Sequence, residues 1–529
     1  MPLTKASYSM ITGAPVNVLD FGADPTGITD SRAAIQAAID YGVANNRSIY
    51  LPGGTYLINS AGPTFNGKVC GLYFNNFTAG PTLGKHLEMF GDGFYATTIT
   101  CNSSAPGIDY LIASIGSGQG EGHSDYAVTS SGTASTSVTT NLYLSGGPQN
   151  VRNIWSGGAK RGFMGGDNFV ACYSEFAAEY GFYFYNQDDS YLVNCSTDGA
   201  GIAGIYIQDD VATETYSDET KAFFGISAVN CNFYSAQSET GVGVKINSDR
   251  YSYTHHQFTN CIFGNNGFPL GALNPLAWIT AYGAVISSAC SVSFTNCKFP
   301  LAKYGNIVQG CESVNFTNCV FSKTGFVSTV ATTWQCADLS IASSANSVIV
   351  MGCVFDTTSG YSFYSQDCKN LTIIGNTFTD VANGGLNSSG VRVNLTNATV
   401  GNTAIYITPA TTVQTLKIIG NHFDCPTIYN TGKYGIKIDC SVAVPASGRI
   451  KISQNTDSGV SFATNYSVTT ATAIQQNAWN VINDSIATAT PQNFPAVADA
   501  NAPNSTIYYS TNATKLVWKD ASGIVNNLY

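Results

Sequence analysis

The sequence predicts an all-β chain wound into a parallel β-helix solenoid, and three observations carry that prediction. A short phrase recurs, the residues around it alternate with a strand period, and the phase inside each copy is kept while the spacing varies. The phrase is Asn-Cys-x-Phe, at Asn230-Cys231-Asn232-Phe233, Asn260-Cys261-Ile262-Phe263, Asn296-Cys297-Lys298-Phe299 and Asn318-Cys319-Val320-Phe321. Looser copies are Gly352-Cys353-Val354-Phe355, Gly375-Asn376-Thr377-Phe378 and Gly420-Asn421-His422-Phe423, with Asn194-Cys195 and Ala171-Cys172 upstream. The marks are 23, 36, 30, 36, 22, 34, 23 and 45 residues apart, which reads as one coil with inserts, the 45 being two coils.

Each coil contains at least two strands. SVSFT at 291–295 and SVNFT at 313–317 alternate apolar and polar residues just before a mark, a period-2 strand signal. A second alternating stretch opens with Gly181, Gly204, Gly241, Gly283, Gly305 or Gly435, and it starts 9, 9 and 10 residues after the first three Cys marks. Of 15 cysteines, seven occupy the mark. Their odd total and the lack of C-x₂-C spacing argue against a disulfide or metal framework, leaving a buried ladder of small side chains. The Asn before the Cys is expected to form an amide ladder at the turn.

Composition narrows the partners. Only 11% of residues are charged and the net charge is −10, which disfavours nucleic acid and anionic membrane surfaces. No stretch approaches the length of a membrane span, and residues 1–10 contain no apolar signal core. Unpaired cysteines suit folding in a reducing cytoplasm.

In chain order, residues 1–15 read as a polar tether and 16–60 as a cap of helix and strands. Residues 61–460 read as the β-helix, 461–500 as an Ala/Thr/Asn-rich connector and 501–529 as a small C-terminal β-module. In the cap, VNVLDFGADPTGITD at 16–30 precedes a helical segment with Ile35, Ala38 and Ile39 on one face. Asp30 or Ser31 can cap that helix, and Pro52-Gly53-Gly54 turns the chain into a strand. A helix here covers the open sheet edge of the first coil.

This block resembles the N-terminal segment of the pectate-lyase-like superfamily as found in bacteriophage tailspikes and capsule depolymerases. The matching features are the V-x-D-F-G-A-like opening, the Gly27-to-Asp30 turn, the AIQAAI run at 34–39 and the LPGGTY strand at 51–56. Asp24-Pro25-Thr26-Gly27 departs from the usual Gly-Asp-Gly of that turn. The resemblance implies a right-handed β-helix, a homotrimer and a terminal module that helps trimerise the shaft. It also implies attachment to other phage tail or baseplate proteins through the N-terminus. Such a protein is made in the host cytoplasm, belongs to the virion tail and acts at the bacterial outer surface on a capsule or O-antigen polysaccharide.

Residues 175–250 are rich in carboxylates. Gln187-Asp188-Asp189 and Gln208-Asp209-Asp210 look like one phrase in successive coils, with Asp249-Arg250 at a similar phase. Glu175 and Asp198 each lie three residues past their Cys and should stack. Stacked like charges raise one pKa, so that one carboxyl serves as acid while its neighbour stays ionised. Paired carboxylates of this kind perform glycoside hydrolysis. The candidate catalytic residues are therefore Asp188, Asp189, Asp209 and Asp210, then Glu175, Asp198, Glu239 and Asp249. Candidate sugar contacts are Tyr183, Tyr185, Tyr206, Tyr251, Arg250 and Trp278. No cofactor or metal is required, although stacked carboxylates are also a Ca²⁺ donor type. Any single Asp at a turn is more readily a backbone cap. Two further readings stay open: a polysaccharide lyase using Arg250, Lys245 and the His255-His256 pair, and a non-enzymatic receptor-binding tail protein.

Overall fold

The computed structural model describes residues 11, 13–75, 87–102, 107–116, 121–132, 137–146, 149–187, 189–209, 225–235, 241–248, 255–264, 280–287, 291–300, 302–322, 337–358, 360–380, 403–408, 415–424, 434–440, 449–457, 464–470, 482–484, 496–502, 504, 506–510, 512 and 514–527. Two units are present, residues 1–484 and 485–529.

The first unit is a parallel β-helix. A representative coil has three strands, Ser190–Val193, Ser196–Ala200 and Ala203–Asp209. Each pairs in parallel with its counterpart in the next coil: Val193 with Val229, Thr197 with Phe233, Tyr206 with Lys245. Among the described residues, first and second strands join one 29-stranded sheet, and third strands form a 15-stranded sheet. The core is the inside of the coil, lined by Leu192, Cys195, Phe233, Val244, Phe258 and their stacked equivalents.

The recurring mark is explained by the bend between the first two strands. Asp125, Asn153, Ala171, Asn194, Asn230, Asn260, Asn296, Asn318 and Gln454 all sit there with φ between 51° and 61°, and Gly352, Gly375 and Gly420 with φ 64°. That left-handed conformation suits Asn and Gly among the residue types, which is why every mark from Asn194 to Gly420 begins with one or the other. The next side chain points inward. As Cys it is buried, and its thiol donates to carbonyls: Cys261 to Ala228 and Thr259 O at 3.4 Å each, Cys297 to Phe258 O at 3.3 Å. In the last coils Asn takes its place, and Nδ2 of Asn376 donates to Oδ1 of Asn421, and Nδ2 of Asn421 to Oδ1 of Asn455, both at 2.9 Å. The continuous amide ladder thus stands at the Cys position. At the preceding Asn position one such link, Asn260 to Asn230 at 3.2 Å, is formed. The Phe of the phrase stacks along the axis, with centroid spacings of 4.9, 4.8, 4.8 and 4.9 Å from Phe299 through Phe321, Phe355 and Phe378 to Phe423.

Two sequence readings are corrected. The 45-residue interval is one coil, because Thr377, Phe378 and Thr379 pair directly with His422, Phe423 and Asp424. Its extra length is an insert between strands Thr377–Thr379 and Thr403–Ile407, and an insert leaves no mark of its own. The β-helix also runs past residue 460. Strand Thr464–Thr470 pairs with Tyr434–Cys440, and Ile482–Asp484 with Arg449–Ser453, within the stretch read as connector.

Helix α1 (Arg32–Asn45) packs on strand Lys68–Asn75. Buried Gln36 replaces a missing strand: its Nε2 donates to Tyr73 O at 2.8 Å and its Oε1 accepts from Tyr73 N at 2.9 Å. An unpaired backbone edge is thereby satisfied by one side chain. Asp30 Oδ1 accepts from the Arg32 N–H at 3.1 Å, whereas Ser31 Oγ accepts from Asp24 N at 2.8 Å instead of capping the helix. The second unit is a four-stranded sheet of Ala496–Val497, Thr506–Ser510, Lys515–Lys519 and Val525–Asn527.

Candidate functional site

Seven of the candidates, Asp188, Asp210, Glu239, Asp249, Arg250, Tyr251 and Trp278, lie outside the described residues. The others divide sharply by environment.

Glu175 and Asp198 are brought together. Glu175 closes strand Tyr173–Glu175, Asp198 lies in Ser196–Ala200, and the two are register partners on neighbouring coils. Adjacent strands are about 4.8 Å apart, so side chains leaving the same face at partnered positions stand about 5 Å apart. Partial burial raises the Glu175 pKa, and the charge of Asp198 raises it further. The Trp155 indole acts in the opposite direction. Its Nε1–H is buried without a well-formed hydrogen bond and faces this carboxylate, favouring the ionised form. Among the described residues neither carboxylate belongs to an ion pair.

Two aromatic rings, Trp155 and Tyr173, lie near the pair. Trp155 and Tyr173 are register partners, and Gly157 pairs with Glu175, so no side chain separates the indole from the carboxylate on that row. Burial, then Glu175, Asp198 and Tyr95, push the Tyr173 phenol up to about 12, keeping it a neutral hydroxyl donor. Tyr95 is 88% exposed and its ring lies 6.4 Å from Trp155. Phe176, next to Glu175, is 66% exposed. Exposed aromatic faces beside two carboxylates can hold a sugar ring and exchange a proton with it.

The Gln-Asp-Asp phrases do not stack as read. Gln208 pairs with Tyr185, a 23-residue offset, whereas superposing the two phrases requires 21. Asp209 therefore lies in the row of Asn186, whose N–H donates to Gln208 O at 3.0 Å. Asp209 is itself buried and accepts a short hydrogen bond from the Ser248 hydroxyl. Asp189 is partly exposed just before strand Ser190–Val193.

Tyr183 and Tyr206 are only 7% exposed, with their ring faces occupied: Arg161 lies 4.4 Å from the Tyr183 ring centre and Lys245 4.9 Å from that of Tyr206. Tyr183 O–H donates to Gln208 Oε1 at 2.9 Å. Stacked rings and cations fill this row, so it offers no platform; Tyr185, at its margin, is 37% exposed. Of the lyase candidates, His256 is buried and accepts from Ile226 N at 3.2 Å, its pKa lowered to about 4 by burial, while His255 Nε2 meets Ser293 Oγ at 3.0 Å. Among the described residues no group of three or more His, Cys, Asp or Glu could hold a metal ion, and no helix is long and apolar enough to cross a membrane.

Sequence reasoning missed Trp155, Tyr173, Tyr95 and Phe176. The first two were findable: each stands two residues after a bend residue, Asn153 or Ala171, but the coil of Trp155 has Ile154 where the mark has Cys.

The family model for "rhamnogalacturonase A/epimerase, pectate lyase-like" matches residues 15–346. A curated relative, mannuronan C5-epimerase AlgE6 of Azotobacter vinelandii, is 41% identical over 78 residues, 15% of this chain and 9% of that protein. The chain thus spans about a tenth of that relative's length. Among solved structures, bacteriophage CBA120 tailspike protein 3 is 13% identical with a TM-score of 0.44, covering 97% of this chain and 69% of that one. The N-terminal fragment of bacteriophage Phi29 gene product 12 is 12% identical with a TM-score of 0.45, covering 86% and 72%.

Proposed function

We propose a function from one premise: the chain belongs to the rhamnogalacturonase A/epimerase, pectate-lyase-like family, whose model spans residues 15–346. In this reading the protein acts on a polysaccharide, and the chemistry is endo-glycosidic hydrolysis at Glu175 and Asp198. The observation that carries it is the in-register carboxylate pair, one member partly buried, beside exposed aromatic rings. A separation of about 5 Å matches the retaining class of glycosidases, in which the carboxyls stand about 5–5.5 Å apart. Protonated Glu175 donates to the glycosidic oxygen as its bond to the anomeric carbon breaks. Asp198, the more exposed carboxylate, attacks that carbon and forms a glycosyl ester. Glu175, now ionised, takes a proton from water, which displaces Asp198 and restores both groups.

The experiment is mass spectrometry and NMR of products from a panel of purified bacterial capsular and O-antigen polysaccharides. Saturated oligosaccharides with retained anomeric configuration support the proposal. Inverted products, or cleavage that survives Glu175→Gln and Asp198→Asn, refute it. The setting, a homotrimeric phage tailspike joined to the virion through its N-terminus, rests on the resemblance of residues 16–58; light scattering giving the mass of one 55.8 kDa chain would reject the trimer.

A second reading is favoured by the local identity to a mannuronan C5-epimerase: proton removal from C5 of a uronate, followed by reprotonation or elimination. It predicts unsaturated or epimerised products, and the same product analysis separates it from hydrolysis.

A further inference from the structure

The second bend of the coil is left-handed in several coils, and in one of them it carries an exposed aromatic ring. Gly158, Phe176 and Gly199 occupy equivalent places, each coming directly after one member of the Gly157, Glu175, Asp198 row. All three are left-handed, with φ of 73°, 52° and 69°. Glycine adopts this conformation without steric cost, whereas a bulky aromatic residue with positive φ is a genuine outlier. Phe176 gains little core burial in exchange, since its side chain is directed largely to water. The ring is nonetheless held in place. A Cβ on Gly199 would come within 2.7 Å of Phe176 Cδ1, so the ring lies against the bare backbone of the next coil. The Phe176 N–H donates to Asp198 O at 2.8 Å, the bond that Thr357 and Asp380 make to Thr379 O and Asp424 O at equivalent bends.

Thr357 and Asp380 share this backbone conformation at equivalent bends, so it belongs to the coil; what is particular to Phe176 is a large apolar ring left exposed there. Here the role is legible from position. Phe176 comes directly after Glu175, its ring rests on Gly199, which comes directly after Asp198, and its remaining surface is open. Resting on the reading of Glu175 and Asp198 as the reacting pair, we propose that Phe176 is the platform against which a sugar ring of the substrate stacks. It would present an apolar face to the C–H face of a pyranose and fix the neighbouring glycosidic bond over the pair. The ligand class is a glycan with at least one unsubstituted C–H face at that subsite.

The test is a comparison of wild type, Phe176→Gly, Phe176→Asn and Glu175→Gln, with mannuronan and purified capsular and O-antigen polysaccharides as probes. Both Gly and Asn tolerate the left-handed backbone, so neither replacement threatens folding. The expected result is a raised unfolding midpoint for Phe176→Gly together with substrate binding weaker by about five- to tenfold, a change in KM more than in kcat. Glu175→Gln is expected to show the opposite split, binding retained and turnover lost. Binding by Phe176→Gly and Phe176→Asn within twofold of wild type would overturn the platform and leave the carboxylate reading standing. A lowered midpoint for Phe176→Gly would also overturn it, since the ring would then serve the fold. Turnover unaffected by Glu175→Gln and Asp198→Asn, or a wild-type chain that binds none of the probes, would remove the reading and the platform together.

Discussion

Replacing Asn421 by alanine should open the end of the shaft while leaving its beginning intact. The Asn421 side chain makes four hydrogen bonds in the interior. Its Oδ1 accepts from Asn376 N at 3.0 Å and from Asn376 Nδ2 at 2.9 Å. Its Nδ2 donates to Ile373 O at 3.0 Å and to Asn455 Oδ1 at 2.9 Å. Two partners keep another bond, because Asn376 Nδ2 still reaches Val350 O and Asn455 Oδ1 still accepts from Asn421 N. The Asn376 N–H loses its acceptor inside the coil. One orphaned donor costs about 1–3 kcal/mol and each of the three other lost bonds about 0.5–1.5 kcal/mol, so the local loss is about 2.5–7.5 kcal/mol. Asn421→Cys should cost about half as much, since a thiol already serves at this position in other coils: Cys353 Sγ accepts from Cys319 N at 3.3 Å and donates to Phe316 O at 3.5 Å. A solenoid does not unfold as one unit, so the assay is hydrogen exchange followed by mass spectrometry, read peptide by peptide. Exchange should accelerate in 368–379 and 415–424 and stay unchanged in 190–209. Equal protection in Asn421→Ala and wild type, or equal losses for Ala and Cys, would refute the assignment of a stabilising amide ladder.

Three further outcomes are expected. Glu175→Gln and Asp198→Asn should each lower turnover by about 10²-fold or more on any polysaccharide the wild type cleaves, and because Glu175 must carry a proton, activity should fall as pH rises through its elevated pKa; steady-state rates across pH decide this. Buried His123 and His256, with pKa values lowered to about 3 and about 4, stay neutral in the fold while the unfolded chain takes up protons below about 6.5. Their contribution is full above that value and lost as pH falls toward 4 and 3, about 3 kcal/mol each at pH 4, and His123→Gln should flatten the dependence of the unfolding midpoint on pH. Gly420 has φ 64° and open space where a Cβ would stand, so Gly420→Asn should be nearly neutral while Gly420→Val costs about 1–2 kcal/mol by chemical denaturation.

How far the sequence speaks depends on which residues keep step with the coil. The Cys, Phe and bend residues are fixed by the cross-section, so their recurrence reported both the architecture and the pairing of Glu175 with Asp198, each three residues past a Cys. The Gln-Asp-Asp phrases misled because they lie at the exit of the third strand, where loop length no longer obeys the coil: 21 residues separate the phrases while 23 separate the Cys marks. Tyr183 and Tyr206 were named for their ring faces, and the stacking that puts them in one row also covers those faces. Two aromatics near the carboxylate pair escaped notice for a related reason. Trp155 belongs to a coil marked by Asn153-Ile154, and Tyr95 sits outside any repeat.

The bends have a consequence for how such a chain can diversify. Where a corner is set by a single left-handed residue, as at Asp380, chain can be inserted there while the next strand keeps its row. Residues 381–402 lie between strands Thr377–Thr379 and Thr403–Ile407, and Phe378 still meets Phe423 at 4.9 Å. Shaft and loops are therefore separately heritable. Exchange of a loop between relatives alters what the surface meets and leaves the scaffold in frame, so new ligand preferences can be acquired by recombination at corners while the interior stays under unchanged selection.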